Sequence, residues 1–191
     1  MSLTAEQVAL VKATVPALEV HGVAITTLFY QNLLKAHPEL NNIFNHANQV
    51  HFEQPKALAA AVYAYARNIE NLEALLPTVR LIAGKHTSLH VQPEHYPIVG
   101  KYLLEAIQEV LGEAATPEII DAWGAAYGVL ANVFIETEKV MYAANGNWTD
   151  FEEFTIARIV KESDEISSFY LQPVKSELLP LPKFLPGQVC S

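Results

Sequence analysis

The sequence predicts an all-α domain followed by a short, incomplete β segment. Three observations lead there. Apolar residues recur at helical spacing from Val8 to Met141, prolines and cap residues cut that stretch into six or seven segments, and the composition changes at Asn145-Gly146-Asn147-Trp148.

The first segment opens with Thr4-Ala5-Glu6-Gln7, an N-cap with a capping box, and its stripe of Val8, Leu10 and Val11 is expected to end before Pro16. A second helix is expected from about Val20 to Lys35, with Val23, Thr27, Tyr30 and Leu34 on one face. His37-Pro38 stops it, because a residue before proline avoids the helical region. A short turn through Leu40, Ile43 and Phe44 follows, then a polar, irregular stretch over 45–53. Pro55 suits a helical first turn, where its missing N–H leaves no bond unmade. The helix it opens carries Leu58, Val62, Tyr65, Ile69 and Leu72 at steps of four and three.

Beyond Pro77, Val79, Ile82 and His86 share a helix face that reaches about Leu89. Another helix spans roughly Pro97 to Leu111, with Val99, Leu103, Ala106 and Val110 inward. Thr116-Pro117 pairs an N-cap with proline at the first helical position. It starts the longest helix, which ends near Tyr142 and buries Ile120, Trp123, Tyr127, Leu130, Phe134 and Met141. After Trp148, the runs 154–160 and 166–172 are β-rich and joined by a polar turn over 161–165, a hairpin. The tail from Leu178 is extended by its prolines. The expected division is a helical domain over 1–146 and the start of a second, β domain over 147–191, since two strands cannot stand alone.

Composition limits the function. Twelve basic against 21 acidic residues give a net charge of −9, which disfavours nucleic acid or an anionic membrane as partner. The N-terminus has neither a basic nor an apolar leader region, and no uncharged run reaches the length of a membrane span, so a cytoplasmic chain without a membrane-spanning segment is expected. The single cysteine, Cys190, permits neither an intrachain disulfide nor a thiolate cage. A metal here depends on histidine, carboxylate or a cofactor.

His86 is the candidate. It lies on the face of Leu75, Val79 and Ile82 near the end of its helix, where a histidine turned toward a core can hold a metal or a haem iron. On base rates a lone histidine on an apolar face is more often a packed core residue. Taken singly, Tyr30 reads more readily as an ordinary core tyrosine and Gln54 as a helix cap. Glu138 lies four residues after Phe134 and eight after Leu130, on the apolar stripe. A carboxylate there needs a partner, unless it is solvated on a frayed last turn. His86 and His90 form an i, i+4 pair that could bind zinc, with no third ligand at compatible spacing.

Longer motifs add to these residues. Asn68-Ile-Glu-Asn-Leu72, Ala83-Gly-Lys-His-Thr-Ser88, Tyr96-Pro-Ile-Val-Gly100 and the run from Asp121 to Phe134 resemble the globin domain of microbial flavohaemoglobins over about residues 1 to 144. The strands after Trp148, with Leu185-Pro-Gly-Gln188, look like the opening of that family's FAD-binding barrel, stopped before it closes. The resemblance implies a globin fold of six to seven helices around one b-type haem. It also implies His86 as the proximal iron ligand, with Tyr96 and Glu138 as the partners that orient it. On the distal side it implies Tyr30, Gln54 and Leu58, and as haem contacts Phe44 and Lys85.

The implied reaction converts NO and O₂ to nitrate, with Tyr30, Gln54, Tyr96 and Glu138 serving it. FAD is not expected on this chain, since the flavin motif that follows the opening strands and a GxGxxG nucleotide loop are both missing. The expected partners are therefore O₂, NO and a separate reductase. Two other readings stand beside this one, a non-enzymatic O₂/NO carrier or sensor and a globin fold that binds partners without haem. His86 with Gln54 argues against the latter.

Overall fold

The computed structural model describes residues 2–42, 53–144 and 152–181. Six α-helices occupy the first two of these stretches: α1 (Ala5–Ala13), α2 (Val15–Ala36), α3 (Glu53–Arg67), α4 (Leu76–Ser88), α5 (His95–Leu111) and α6 (Pro117–Ala144). Short 3₁₀ turns at Pro38–Asn42, Leu72–Leu75 and Gly112–Ala114 link them. Then come β1 (Phe154–Lys161) and β2 (Ser167–Pro173).

The capping box forms as expected. Gln7 N–H donates to the Thr4 hydroxyl oxygen at 3.1 Å, and Thr4 N–H donates to the Gln7 side chain at 2.9 Å. The gap expected between Pro16 and Val20 does not exist. Pro16 sits in the first turn of α2, where its ring is tolerated, and α1 and α2 meet at a 64° bend. Buried Thr14 marks that corner, accepting from the Trp123 indole N–H at 3.2 Å and donating to the Val11 carbonyl at 2.7 Å.

The inward face of α2 is also corrected. Leu18, Gly22, Ile25, Thr26, Phe29, Tyr30 and Leu33 are buried, whereas Val23 is 44% exposed, so Tyr30 lies at the edge of the buried face and not at its centre. Helix α3 begins at Glu53 and stops at Arg67. Ile69 is buried just past its end and Leu72 lies in the following 3₁₀ turn, so the apolar periodicity outlasts the helix. Helix α5 starts at His95, two residues before Pro97, which falls in its first turn.

Helix α6 packs against α1, α4 and α5 and forms the spine of the domain. By length and composition it is apolar enough to cross a membrane, although its uncharged run, bounded by Asp121 and Glu136, stays shorter than a span, as expected. Its apolar face serves packing instead, with Ala122, Trp123, Ala126, Ala131 and Phe134 buried. The Tyr65 hydroxyl ties α3 to it by donating to the Ala126 carbonyl at 2.7 Å. Apolar burial divides into two clusters. One holds Ile25, Phe29, Tyr30, Leu33, Ile107 and Trp123; the other holds Val79, Ala83, Tyr96, Ala131 and Phe134. Half-buried Leu75, Tyr127 and Leu130 pack against both.

The hairpin expected after the helices is present, antiparallel, with Phe154 opposite Pro173 and Lys161 opposite Ser167. Ile156, Ile159, Phe169 and Leu171 are each more than half exposed on it. Phe44, Trp148 and the segment Leu185 to Gln188 lie outside the described residues.

Candidate functional site

Helix α4 ends just after His86, and the ending is what aims the next segment. His90 N–H donates to the Thr87 carbonyl at 3.4 Å and Val91 N–H to the His86 carbonyl at 3.0 Å, while His90 adopts a φ of 55°. That is a Schellman ending with histidine in the left-handed position usually given to glycine. It corrects the reading of His86 and His90 as a helical i, i+4 pair, because His90 lies beyond the helix. Among the described residues no group of three or more His, Cys, Asp or Glu could hold a bare metal ion.

The structure brings His86, Tyr96 and Glu138 together. Glu138 is 2% exposed, so the solvated reading of this carboxylate falls. Its Oε1 lies 2.7 Å from His86 Nδ1 and 2.6 Å from the Tyr96 hydroxyl, with Nδ1 and that hydroxyl 3.1 Å apart. A carboxylate only accepts, so Nδ1–H and the Tyr96 O–H both donate to Oε1. The third side of the triangle is then a contact between two groups whose protons are already committed. Burial and the neighbouring carboxylate push the Tyr96 phenol well above its ordinary range, which keeps it a donor. With the proton on Nδ1, Nε2 carries a bare lone pair, and it makes none of the ring's hydrogen bonds among the described residues. Phe134 packs beside the imidazole at 5.4 Å between ring centroids.

Two further tyrosines hold this cluster, and sequence reading missed both roles. Tyr127, expected only as a core residue, donates to the Tyr96 carbonyl at 2.7 Å. Tyr142 donates to the Val91 carbonyl at 2.9 Å. The two bonds fasten both ends of the 91–96 segment to α6, the helix that supplies Glu138. Gly100 makes room for this, since a Cβ there would lie 2.5 Å from the Tyr127 ring. The only sequence signal was hydroxyl-bearing rings at stripe positions of α6, which periodicity reads as apolar.

Tyr30 is 7% exposed, and burial raises its phenol far above the ordinary value even though the Gln54 side chain hydrogen-bonds it. Gln54 therefore meets Tyr30 from the first turn of α3, as more than a helix cap. Leu58, one turn further along, is half-buried against the cluster that contains Tyr30. Lys85 is exposed beside His86.

These residues fit a haem. One imidazole with a bare nitrogen, backed by a buried carboxylate, suits an iron that brings most of its ligands with its own ring, and suits a bare ion poorly.

The globin family profile matches residues 27–134. A flavohemoprotein of Deinococcus radiodurans is 57% identical over 193 residues, covering 99% of this chain and 47% of that protein. A bacterial globin from Campylobacter jejuni, solved as a structure, is 41% identical with a TM-score of 0.70, covering 73% of this chain and 99% of that one. A Malassezia yamatoensis flavohemoglobin with bound FAD and heme is 29% identical with a TM-score of 0.80, covering 92% of this chain and 46% of that one. The chain spans about half the length of the flavohemoproteins it matches. It belongs to the globin family, with the globin fold and haem binding that go with it.

Proposed function

We propose that this globin is the haem-bearing half of a nitric oxide dioxygenase, joining NO, O₂ and one electron into nitrate. The observation that carries the reading is the Tyr96–Glu138–His86 cluster. A simple reversible O₂ carrier does not need a buried carboxylate behind its axial histidine, whereas oxidative chemistry benefits from the stronger electron donation that such a carboxylate gives. Haem, when bound, supplies the iron centre at which O₂ is held and NO is oxidised.

The residues of the chain set the conditions around it. Glu138 draws on the Nδ1 proton and makes the opposite nitrogen of His86 more basic, while the Tyr96 hydroxyl holds Glu138 in place. On the other side Tyr30 and Gln54 form a polar pair at the edge of an apolar core, where a hydrogen bond to developing negative charge is worth more than in water. Gln54 polarises the Tyr30 hydroxyl, which then serves as the donor. Leu58 is assigned to the walls that exclude water and Lys85 to the cofactor's solvent edge, while Phe44 keeps the role of haem contact that the family resemblance implies. The electron comes from a reductase, flavin-based in the family the chain resembles.

The test is a single turnover. The haem-loaded, reduced chain in O₂, mixed with one equivalent of NO, should give nitrate stoichiometrically and stop as the ferric protein. An added reductase or chemical reductant should restart it. Oxidation without nitrate, or release of intact O₂ as NO binds, makes the chain a carrier instead.

A further inference from the structure

Thr26 is 1% exposed on α2, and its hydroxyl faces three carbonyls: Gly22 at 3.1 Å, Val23 at 3.2 Å and Pro55 at 2.7 Å. A threonine inside a helix ordinarily spends its proton on its own helix, on the carbonyl four residues back. Here the shortest contact crosses to another helix. The hydroxyl has one proton, and the geometry gives it to Pro55, in the first turn of α3 and directly after Gln54.

The placement belongs to a row. Gly22, Thr26 and Tyr30 are spaced by four on α2, so they share one face of it. Running the other way along α3, Ala59, Pro55 and Gln54 meet them in turn. A Cβ on Gly22 would touch the Ala59 Cβ at 3.4 Å, Thr26 bonds the Pro55 carbonyl, and Tyr30 bonds the Gln54 side chain. At Gly22 the two helices stand within ordinary contact distance of a methyl group, and Thr26 then fixes how far α3 is slid and turned at the residue next to Gln54. The Tyr30–Gln54 bond at the end of the row depends on that setting.

We propose that Thr26 is a positioning residue for the ligand-binding pair: its hydroxyl sets the register of the first turn of α3 and so the reach of Gln54 toward Tyr30 and toward the bound gas. The assignment rests on the reading of Tyr30 and Gln54 as the distal donors. It adds a residue that touches neither haem nor ligand.

Thr26→Val keeps the shape and removes the hydroxyl, while Thr26→Ser keeps the hydroxyl and removes the methyl. In the haem-loaded chain, Thr26→Val should speed O₂ dissociation roughly threefold to tenfold, the effect of one modest hydrogen bond acting through another. It should also shift and broaden the infrared stretch of the carbon monoxide complex, and Thr26→Ser should leave both close to the parent. Thr26→Val combined with Gln54→Ala should be no faster than Gln54→Ala alone. In the haem-free chain, the Gln54 side-chain amide resonance should move in Thr26→Val and not in Thr26→Ser.

If Gln54→Ala changes the off-rate and the stretch while Thr26→Val leaves them at parental values, Thr26 only packs and the proposal is overturned. If Tyr30→Phe and Gln54→Ala leave them unchanged too, the distal reading fails first and takes this proposal with it. Should Thr26→Val not take up haem, Thr26→Ala stands in for it. Alanine shifted and serine parental supports the hydroxyl, and both shifted equally overturns it.

Discussion

Glu138→Gln isolates the charge behind His86. Both donors, His86 Nδ1–H at 2.7 Å and the Tyr96 O–H at 2.6 Å, converge on one carboxylate oxygen. A glutamine of the same shape presents its carbonyl oxygen there, because turning its NH₂ inward would set donor against donor. The substitution therefore keeps both bonds and removes the ionic part of each. Hydrogen bonds to a charged group contribute about 1.5–3 kcal/mol and neutral ones about 0.5–1.5, so the His86 bond should lose about 1–1.5 kcal/mol. That loss falls mainly on the oxidised haem, whose extra positive charge gains most from a strongly donating imidazole. For one electron a tenfold change in equilibrium, about 1.4 kcal/mol, is about 59 mV, so the haem potential should rise by roughly 40–60 mV. Spectroelectrochemistry of the haem-loaded parent and variant measures it, and resonance Raman should show a lowered iron–histidine stretch. An unchanged potential with an unchanged stretch would mean that Glu138 orients the ring without tuning it, and the functional argument built on this carboxylate would be lost.

His86→Ala should abolish the normal Soret spectrum of the loaded chain and regain it with added imidazole; full haem uptake with an unaltered spectrum would remove His86 as the ligand. Gly100→Ala should destabilise the fold by about 1–3 kcal/mol, since the clash with the Tyr127 ring outweighs the gain of under about 1 kcal/mol that alanine brings to a helix. Thermal melts check it, and a higher melting temperature would refute the close approach. Alkaline stability should fall between pH 10 and 12. Burial raises Tyr65 and Tyr142 from 10.0 to about 12, so their contribution is complete below the unfolded value and is lost as pH climbs to the folded one. Melting temperatures across that window should drop less steeply in Tyr142→Phe than in the parent.

The helices were legible in their apolar period, and the first and last of them also in their caps. Thr4 with Gln7, and Thr116 with Pro117, marked true starts. The errors came where one residue type supports two local outcomes. Proline at position 16 can end a helix or open one, and only packing of α2 against its neighbours decides between them. Apolar spacing carried the reading of α3 on to Leu72, because Ile69 is buried by tertiary contacts after the helix has ended. The Schellman ending at His90 was invisible without a glycine to announce it.

The site was legible in a different way. Glu138 could be picked out from the residues alone, since a carboxylate on an apolar stripe must find donors. Which donors it finds is set by the crossing of α4, α5 and α6, information that no single segment contains. Tyr127, Tyr142 and Thr26 show the limit: at Tyr127 the apolar period already explains the residue and conceals the bond, Tyr142 reads only as a helix end, and Thr26 lies off the face that the period of α2 picks out. Their partners are main-chain carbonyls of Tyr96, Val91 and Pro55, groups that every residue possesses and that leave no mark in the sequence. Glu138, whose charge conflicts with its apolar stripe, was therefore readable alone, while the hydroxyls that tie one helix to another emerge only when helices from distant parts of the chain are set side by side.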